Sequence, residues 1–105
     1  MSTDAEMFNI RAYATFTLLA SYWYRVAFEG LPFTTMPDQL RGKRHFAYAW
    51  ARWYDNQASA AFRALGDRPE PASHLYTHLY GFWRDSGYSF NMLTDLVNVY
   101  HPQAA

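Results

Sequence analysis

The sequence has no cysteine, so disulfides and thiolate metal ligands are excluded and packing alone must hold the fold. Neither sign of charge is in surplus: nine Lys and Arg stand against nine Asp and Glu, with a pI near 6.9. Nucleic-acid binders usually carry a basic excess, because neutralised phosphates supply much of their affinity, and this balance speaks against that class. Long apolar runs are missing as well. A membrane span needs ~20 such residues, and the longest uncharged segment, Ala12 to Tyr24, is broken by Thr15, Thr17 and Ser21. The opening Met1 to Met7 has two acids and no basic residue, unlike a secretory signal. The expectation is a soluble, cytoplasmic chain with no membrane association. Strand-like alternation, internal repeats and a glycine-rich phosphate loop are also absent.

What the sequence has in excess is aromatic surface. Nine Tyr, eight Phe and four Trp make up 20% of 105 residues. A single core of this size cannot easily enclose so many rings, and Tyr and Trp dominate protein interfaces. About half of the rings are assigned to an aromatic-rich core. Tyr13, Tyr22, Tyr24, Tyr48, Tyr54, Tyr76 and Tyr80 remain as candidates for a surface patch. A homodimer interface is the simplest use of such a patch, and a different protein partner is the other.

Helical periodicity organises the chain as one all-α domain over residues 1–105, an irregular bundle of about four helices with the first one long. Thr3-Asp4-Ala5-Glu6 fits a capping box, and a first helix is predicted from there to Glu29, stopped by Gly30. Phe8, Ala12, Phe16, Leu19, Trp23, Val26 and Ala27 form its predicted core stripe. A short helix start is predicted at Thr35 to Asp38, with Gly42 separating it from a longer helix over Lys43 to Leu65 that ends at Gly66. Phe46, Trp50, Trp53, Ala60, Ala61 and Ala64 share one face of that helix, predicted to face the core. Asp67 to Pro71 is a turn-rich linker. A third helix is predicted over Ser73 to Arg84, with Leu75, Leu79, Phe82 and Trp83 inward. A fourth is predicted over Ser89 to Tyr100, with Phe90, Leu93, Leu96, Val97 and Tyr100 inward and Pro102 closing it.

Residues able to carry chemistry are few. His74 and His78 are four apart on a helix, a spacing that can hold one metal ion, but no glutamate of an HExxH motif lies between them. Two border histidines are expected there, with no metal and no cofactor. Ser73-His74 are sequence neighbours on a helix and do not form a nucleophile–base pair. An enzyme is not expected. Arg41, Lys43 and Arg44 form the one basic cluster; with Tyr48, Trp50 and Trp53 as stacking surfaces they define an alternative nucleic-acid site. The preferred site is the outer arc of the first helix. Met7, Leu18 and Tyr22 fall there among Arg11, Arg25 and Glu29, outside the core stripe, so Met7, Leu18, Tyr22 and Arg25 are expected to bind a partner protein.

Two resemblances accompany these readings. Gly30, Pro37, Arg44, Trp50 and Tyr54 lie in a stretch that resembles the small ribosome modulation factor family, which implies a ribosome-binding hairpin. Across the whole chain, size, helical content and aromatic richness resemble the small helical antiactivators of bacterial quorum sensing, of the QslA type. That likeness implies a regulator that binds a LuxR-type transcriptional activator and blocks its dimerisation, which requires surface and no catalytic residue.

Overall fold

The computed structural model describes residues 3–28 and 46–102. Among these residues the secondary structure is helical, with no strand: α1 (Asp4–Phe28), α2 (Ala47–Ala64), α3 (Glu70–Asp85) and α4 (Phe90–Tyr100). The all-α bundle with a long first helix is therefore the observed architecture. The predicted short helix at residues 35–42 and the first residues of the predicted second helix lie outside the described residues.

Local chemistry accounts for most helix ends. The Glu6 N–H donates to Thr3 Oγ1 at 3.0 Å, satisfying one of the free amides at the start of α1. After α2, Gly66 takes a left-handed φ of +65°, open to glycine at no steric cost. The third helix starts earlier than its predicted Ser73, at Glu70. Pro71 then lies in the first turn, where a missing N–H costs nothing, so the end of the predicted linker is helix. Ser89 caps α4, its Oγ accepting from the Met92 N–H at 3.3 Å.

The centre of the fold is α1, on which each of the other helices packs. Neighbours on several sides leave it little free outer arc, and this corrects the predicted placement of its residues. Leu18 is 0% exposed and Tyr22 3%; both belong to the principal core with Trp23, Val26, Leu79, Trp83, Leu93 and Leu96. Tyr22 has Trp23, Trp83 and Phe90 as ring neighbours, with centroids 5.1, 6.2 and 5.5 Å away. Phe8, assigned to the core stripe, is instead exposed, and Phe16, Leu19 and Ala27 are only half-buried.

The second correction concerns α2. Its buried residues are Ala47, Ala51, Ala58 and Ala61, with Leu65 just beyond its end. These small side chains let α2 lie close against α1, a closer approach than indoles would permit. The predicted core face, apart from Ala61, points outward. Its exposed members are Phe46, Trp50, Trp53, Ala60 and Ala64. Extensive packing of α2 is with α1 alone, so the rest of its surface is uncovered among the described residues.

The junction of α3 and α4 is built around Trp83, which is fully buried. Its indole N–H donates to the Ser89 carbonyl at 3.1 Å, and the Ser86 hydroxyl donates to the Trp83 carbonyl at 2.6 Å. Gly87 and Tyr88 both have left-handed φ, 76° and 59°. For tyrosine that conformation is strained by ~1–2 kcal/mol. The guanidinium of Arg25, 3.9 Å from the Tyr88 ring centroid, and edge packing of that ring on Trp83 offset it. Phe82, predicted inward, is exposed on α3.

Candidate partner-docking face

The outward side of α2 follows a regular spacing. Phe46, Trp50, Trp53, Gln57, Ala60 and Ala64 recur at alternating steps of four and three, the seven-residue period of a helix seam that meets another helix. The buried alanines occupy a neighbouring arc, so one arc binds α1 and the other is available. Phe46 is 53% exposed, Trp50 40%, Trp53 50% and, across the seam on α1, Phe8 49%. Exposed rings scattered singly are ordinary, but contiguous ones mark contact surfaces.

These rings line two adjoining hollows. One, of about 470 Å³, is bounded by Phe46, Ala49, Trp50 and Trp53. The other, of about 360 Å³, lies over the seam between α1 and α2 and is bounded by Phe8, Asn9, Ala12, Phe16, Gln57, Ala60 and Ala61. The Trp53 ring, edge-on to Phe16 at 6.2 Å, joins them. The lining residues carry no charge. The face is also held in place from behind. Trp50 stacks near Trp23 and Tyr54 at 6.5 and 6.3 Å, and Trp53 meets Tyr54 edge-on at 5.2 Å.

Beside Phe16 is a polar tie. Thr15, the one buried polar residue of the described core, donates its hydroxyl proton to the Arg11 carbonyl at 2.8 Å. Its oxygen is 2.9 Å from His101 Nδ1. With the threonine proton so used, His101 Nδ1–H is the donor in that contact. The His101 ring also meets Phe16 edge-on at 4.9 Å. Burial holds the His101 pKa below its ordinary value, because the charged imidazolium is poorly solvated there. The tie fixes the end of α4 against α1 and the edge of the face.

On the other flank of the α1–α2 pair is a hollow of about 390 Å³ whose lining includes charged groups, among them Asp55 and Arg63 beside Tyr13, Thr17, Ser59 and Phe62. The Thr17 hydroxyl is buried without a hydrogen-bond partner among the described residues. Nearby, burial and the Asp55 carboxylate both raise the Tyr24 pKa, burial being the larger cause.

The structure disperses the sequence-predicted partner site. Met7 is exposed and Arg25 half-buried against Tyr88, whereas Leu18 and Tyr22 lie inside the core and cannot meet a partner while the chain stays folded. Of the candidate surface tyrosines, Tyr48 is exposed, Tyr22 is buried and Tyr13, Tyr24, Tyr54, Tyr76 and Tyr80 are half-buried. Arg41, Lys43, Arg44 and His45 lie outside the described residues. His74 and His78 are exposed on α3, and among the described residues no group of three or more His, Cys, Asp or Glu side chains could hold a metal ion. No described helix is long and apolar enough to cross a membrane. Sequence reasoning grouped Phe46, Trp50, Trp53, Ala60 and Ala64 on one face but turned it toward the core, and it missed Phe8 and Gln57 as face residues. The seven-residue spacing on α2 was the signal that could have found Gln57. No family model matches the sequence, and comparison with curated proteins and with solved structures yields no match.

Proposed function

We propose that this chain is a non-enzymatic regulatory protein that acts by binding protein through the uncharged aromatic face of α1 and α2. The observation that carries the reading is the exposure of Trp50 and Trp53 on a seven-residue stripe whose helix has its other arc packed on α1. A stripe with that period accepts an amphipathic helix laid along it. The mechanism is competition: a partner helix seated there is unavailable to its own interface. The profile resemblance to quorum-sensing antiactivators makes the dimerisation helix of a transcriptional activator the candidate target. The test is capture from a host lysate with wild type, Trp53→Glu and Phe82→Glu. Recovery of a protein with wild type and Phe82→Glu but not with Trp53→Glu supports the reading; equal recovery by all of them refutes it.

One observation favours a second reading. Tyr48, Trp50 and Trp53 are exposed a few residues after Arg41, Lys43 and Arg44, so stacking surfaces follow the basic cluster in the chain. Binding of RNA or DNA there would weaken steeply with salt, by close to one unit of logarithmic slope per neutralised phosphate. Apolar docking would be nearly indifferent to moderate salt.

A further inference from the structure

We infer that the aromatic face is a self-association surface, covered in the free protein by the same face of a second copy in an antiparallel two-fold arrangement. This rests on the reading of the face as protein-binding and commits it to one occupant.

The first argument is shape. The two halves of α2 differ in bulk. Phe46, Trp50 and Trp53 crowd its first half, whereas Ala60 and Ala64, with the seam hollow beside them, occupy its last half. A two-fold axis crossing α2 midway between Trp53 and Gln57 would place Trp50 of each protomer over Ala60 of the other, and Phe46 over Ala64. Each projecting ring then meets small side chains, and the indole of Trp50 has the hollow of about 360 Å³ to enter. A parallel arrangement would instead set indole against indole and leave the alanine halves unfilled. Self-complementarity about an axis is what an isologous dimer requires, and it closes without leaving a second open face.

The second argument is charge. The residues lining both hollows include no Asp, Glu, Lys or Arg. Two copies of a face that carried one sign of charge would repel. An uncharged face brings two copies together without that penalty, and a formal net charge of +0 adds no long-range repulsion.

The third argument is area. Phe8, Phe46, Trp50 and Trp53 are about half exposed. Aromatic side chains bury about 150–250 Å² each when covered, so these four present roughly 100 Å² apiece. With the alanines and Gln57 between them, the face offers on the order of 600 Å² per protomer, which reaches the ~1,200 Å² lower bound for specific interfaces. An interface of that size, with its rings already held by Trp23, Tyr54 and Phe16, is expected to give a dissociation constant on the order of micromolar.

The experiment is sedimentation equilibrium of the full chain across about 0.1–100 μM, a range bracketing that affinity. Wild type should shift with concentration from 12.3 kDa toward twice that mass. Trp50→Glu should lower the association constant at least ~10-fold. Because Trp50 also touches Trp23, Ala60→Trp serves as the second variant: residue 60 is exposed, so filling the hollow should break the dimer while the circular dichroism spectrum stays unchanged and the melting curve, taken well below the dissociation constant, matches that of wild type. A wild-type monomer throughout the range overturns the inference, as does a dimer indifferent to both substitutions, which would use another surface. A wild-type monomer whose lysate capture still depends on Trp53 would overturn self-association and leave the protein-binding reading standing. Failure of both would remove the reading itself.

Discussion

Tyr22 is the most exacting test of how this core is built. Its ring is enclosed by Trp23, Trp83 and Phe90, while its hydroxyl is buried with no hydrogen-bond partner among the described residues. A buried hydroxyl without a partner costs ~1–3 kcal/mol relative to a paired one, whereas the ring is worth keeping. Tyr22→Phe retains the ring and deletes the unpaired oxygen. It should raise stability at neutral pH by ~1 kcal/mol once the small cavity it leaves is subtracted, or ~4–8 °C in melting temperature for a domain of this size. A second signature comes from ionisation. Burial pushes the Tyr22 pKa from 10.0 up to about 12. Below pH 10 the hydroxyl is protonated in both folded and unfolded chains and stability does not depend on it. Between 10 and about 12 the unfolded chain releases the proton and the folded chain keeps it, so stability falls as pH rises. The distance between those two values limits the loss to ~2–3 kcal/mol. Tyr24, Tyr54, Tyr76 and Tyr80 are also shifted upward, so the difference between wild type and Tyr22→Phe isolates the one residue. Urea unfolding at about pH 7 and about pH 11 should show the variant's advantage widening with pH. A variant less stable than wild type by ~1 kcal/mol or more, with no change in the alkaline dependence, would refute the reasoning and show that the hydroxyl is bonded.

Ala51→Leu should destabilise the fold by ~1–3 kcal/mol by overfilling the α1–α2 seam, whereas Phe46→Ala, on the outer face, should change urea stability by ~0.5 kcal/mol or less; the reverse order would show that α2 is turned the other way. His101→Ala should cost ~1–2 kcal/mol near neutral pH through loss of the bond to Thr15 and the Phe16 contact. Because the folded-state pKa of His101 lies below its ordinary value, that contribution is present above the ordinary value of 6.5 and is lost as pH falls through the folded value. The gap between wild-type and variant melting temperatures should therefore narrow toward acidic pH, and a gap that widens there would overturn the assignment. If His74 and His78 are exposed bystanders, neither zinc nor a chelator should move the melting temperature; a rise with zinc that the His78→Ala variant abolishes would establish a site.

The elements were legible where a cap and a period agreed. Thr3 caps α1 as its capping-box spacing predicts, the fourth helix begins at Ser89, which the structure shows to be its cap, and Gly66 takes a left-handed conformation after α2. The choice of face was not legible in the same way. On α2 the sequence offers two apolar arcs, one of alanines and one of large rings, and hydrophobicity ranks the rings higher. Packing selects the alanines, because the distance between helix axes is set by side-chain size and a close seam buries backbone as well as side chains. On α1 the error had a different origin. A charged arc usually marks the solvent side, but the long Arg25 side chain reaches out to set its guanidinium over the Tyr88 ring, so a cation can lie beside a core filled by Leu18 and Tyr22. Which arc is inside depends on residues more than sixty positions away in the chain, and one helix's periodicity holds no record of them.

The exposed rings also differ from the flexible side chains that usually occupy a surface. Trp50 lies between Trp23 and Tyr54, and Trp53 is fixed at its edges by Phe16 and Tyr54. Trp23 belongs to the principal core and Tyr54 packs against it, so the orientation of the outer face is transmitted from the interior. Immobilising a rotamer-rich side chain on binding costs ~0.5–1.5 kcal/mol, and rings already held in place avoid most of that cost. The consequence for any partner, a second copy included, is that substitutions behind the face should weaken docking without touching it. Tyr54→Ala, which removes the shared support of both indoles, should therefore weaken association more than Phe46→Ala, which removes an exposed ring from the rim. If the two are equal, contact area alone governs the face and the ordering of its rings contributes nothing.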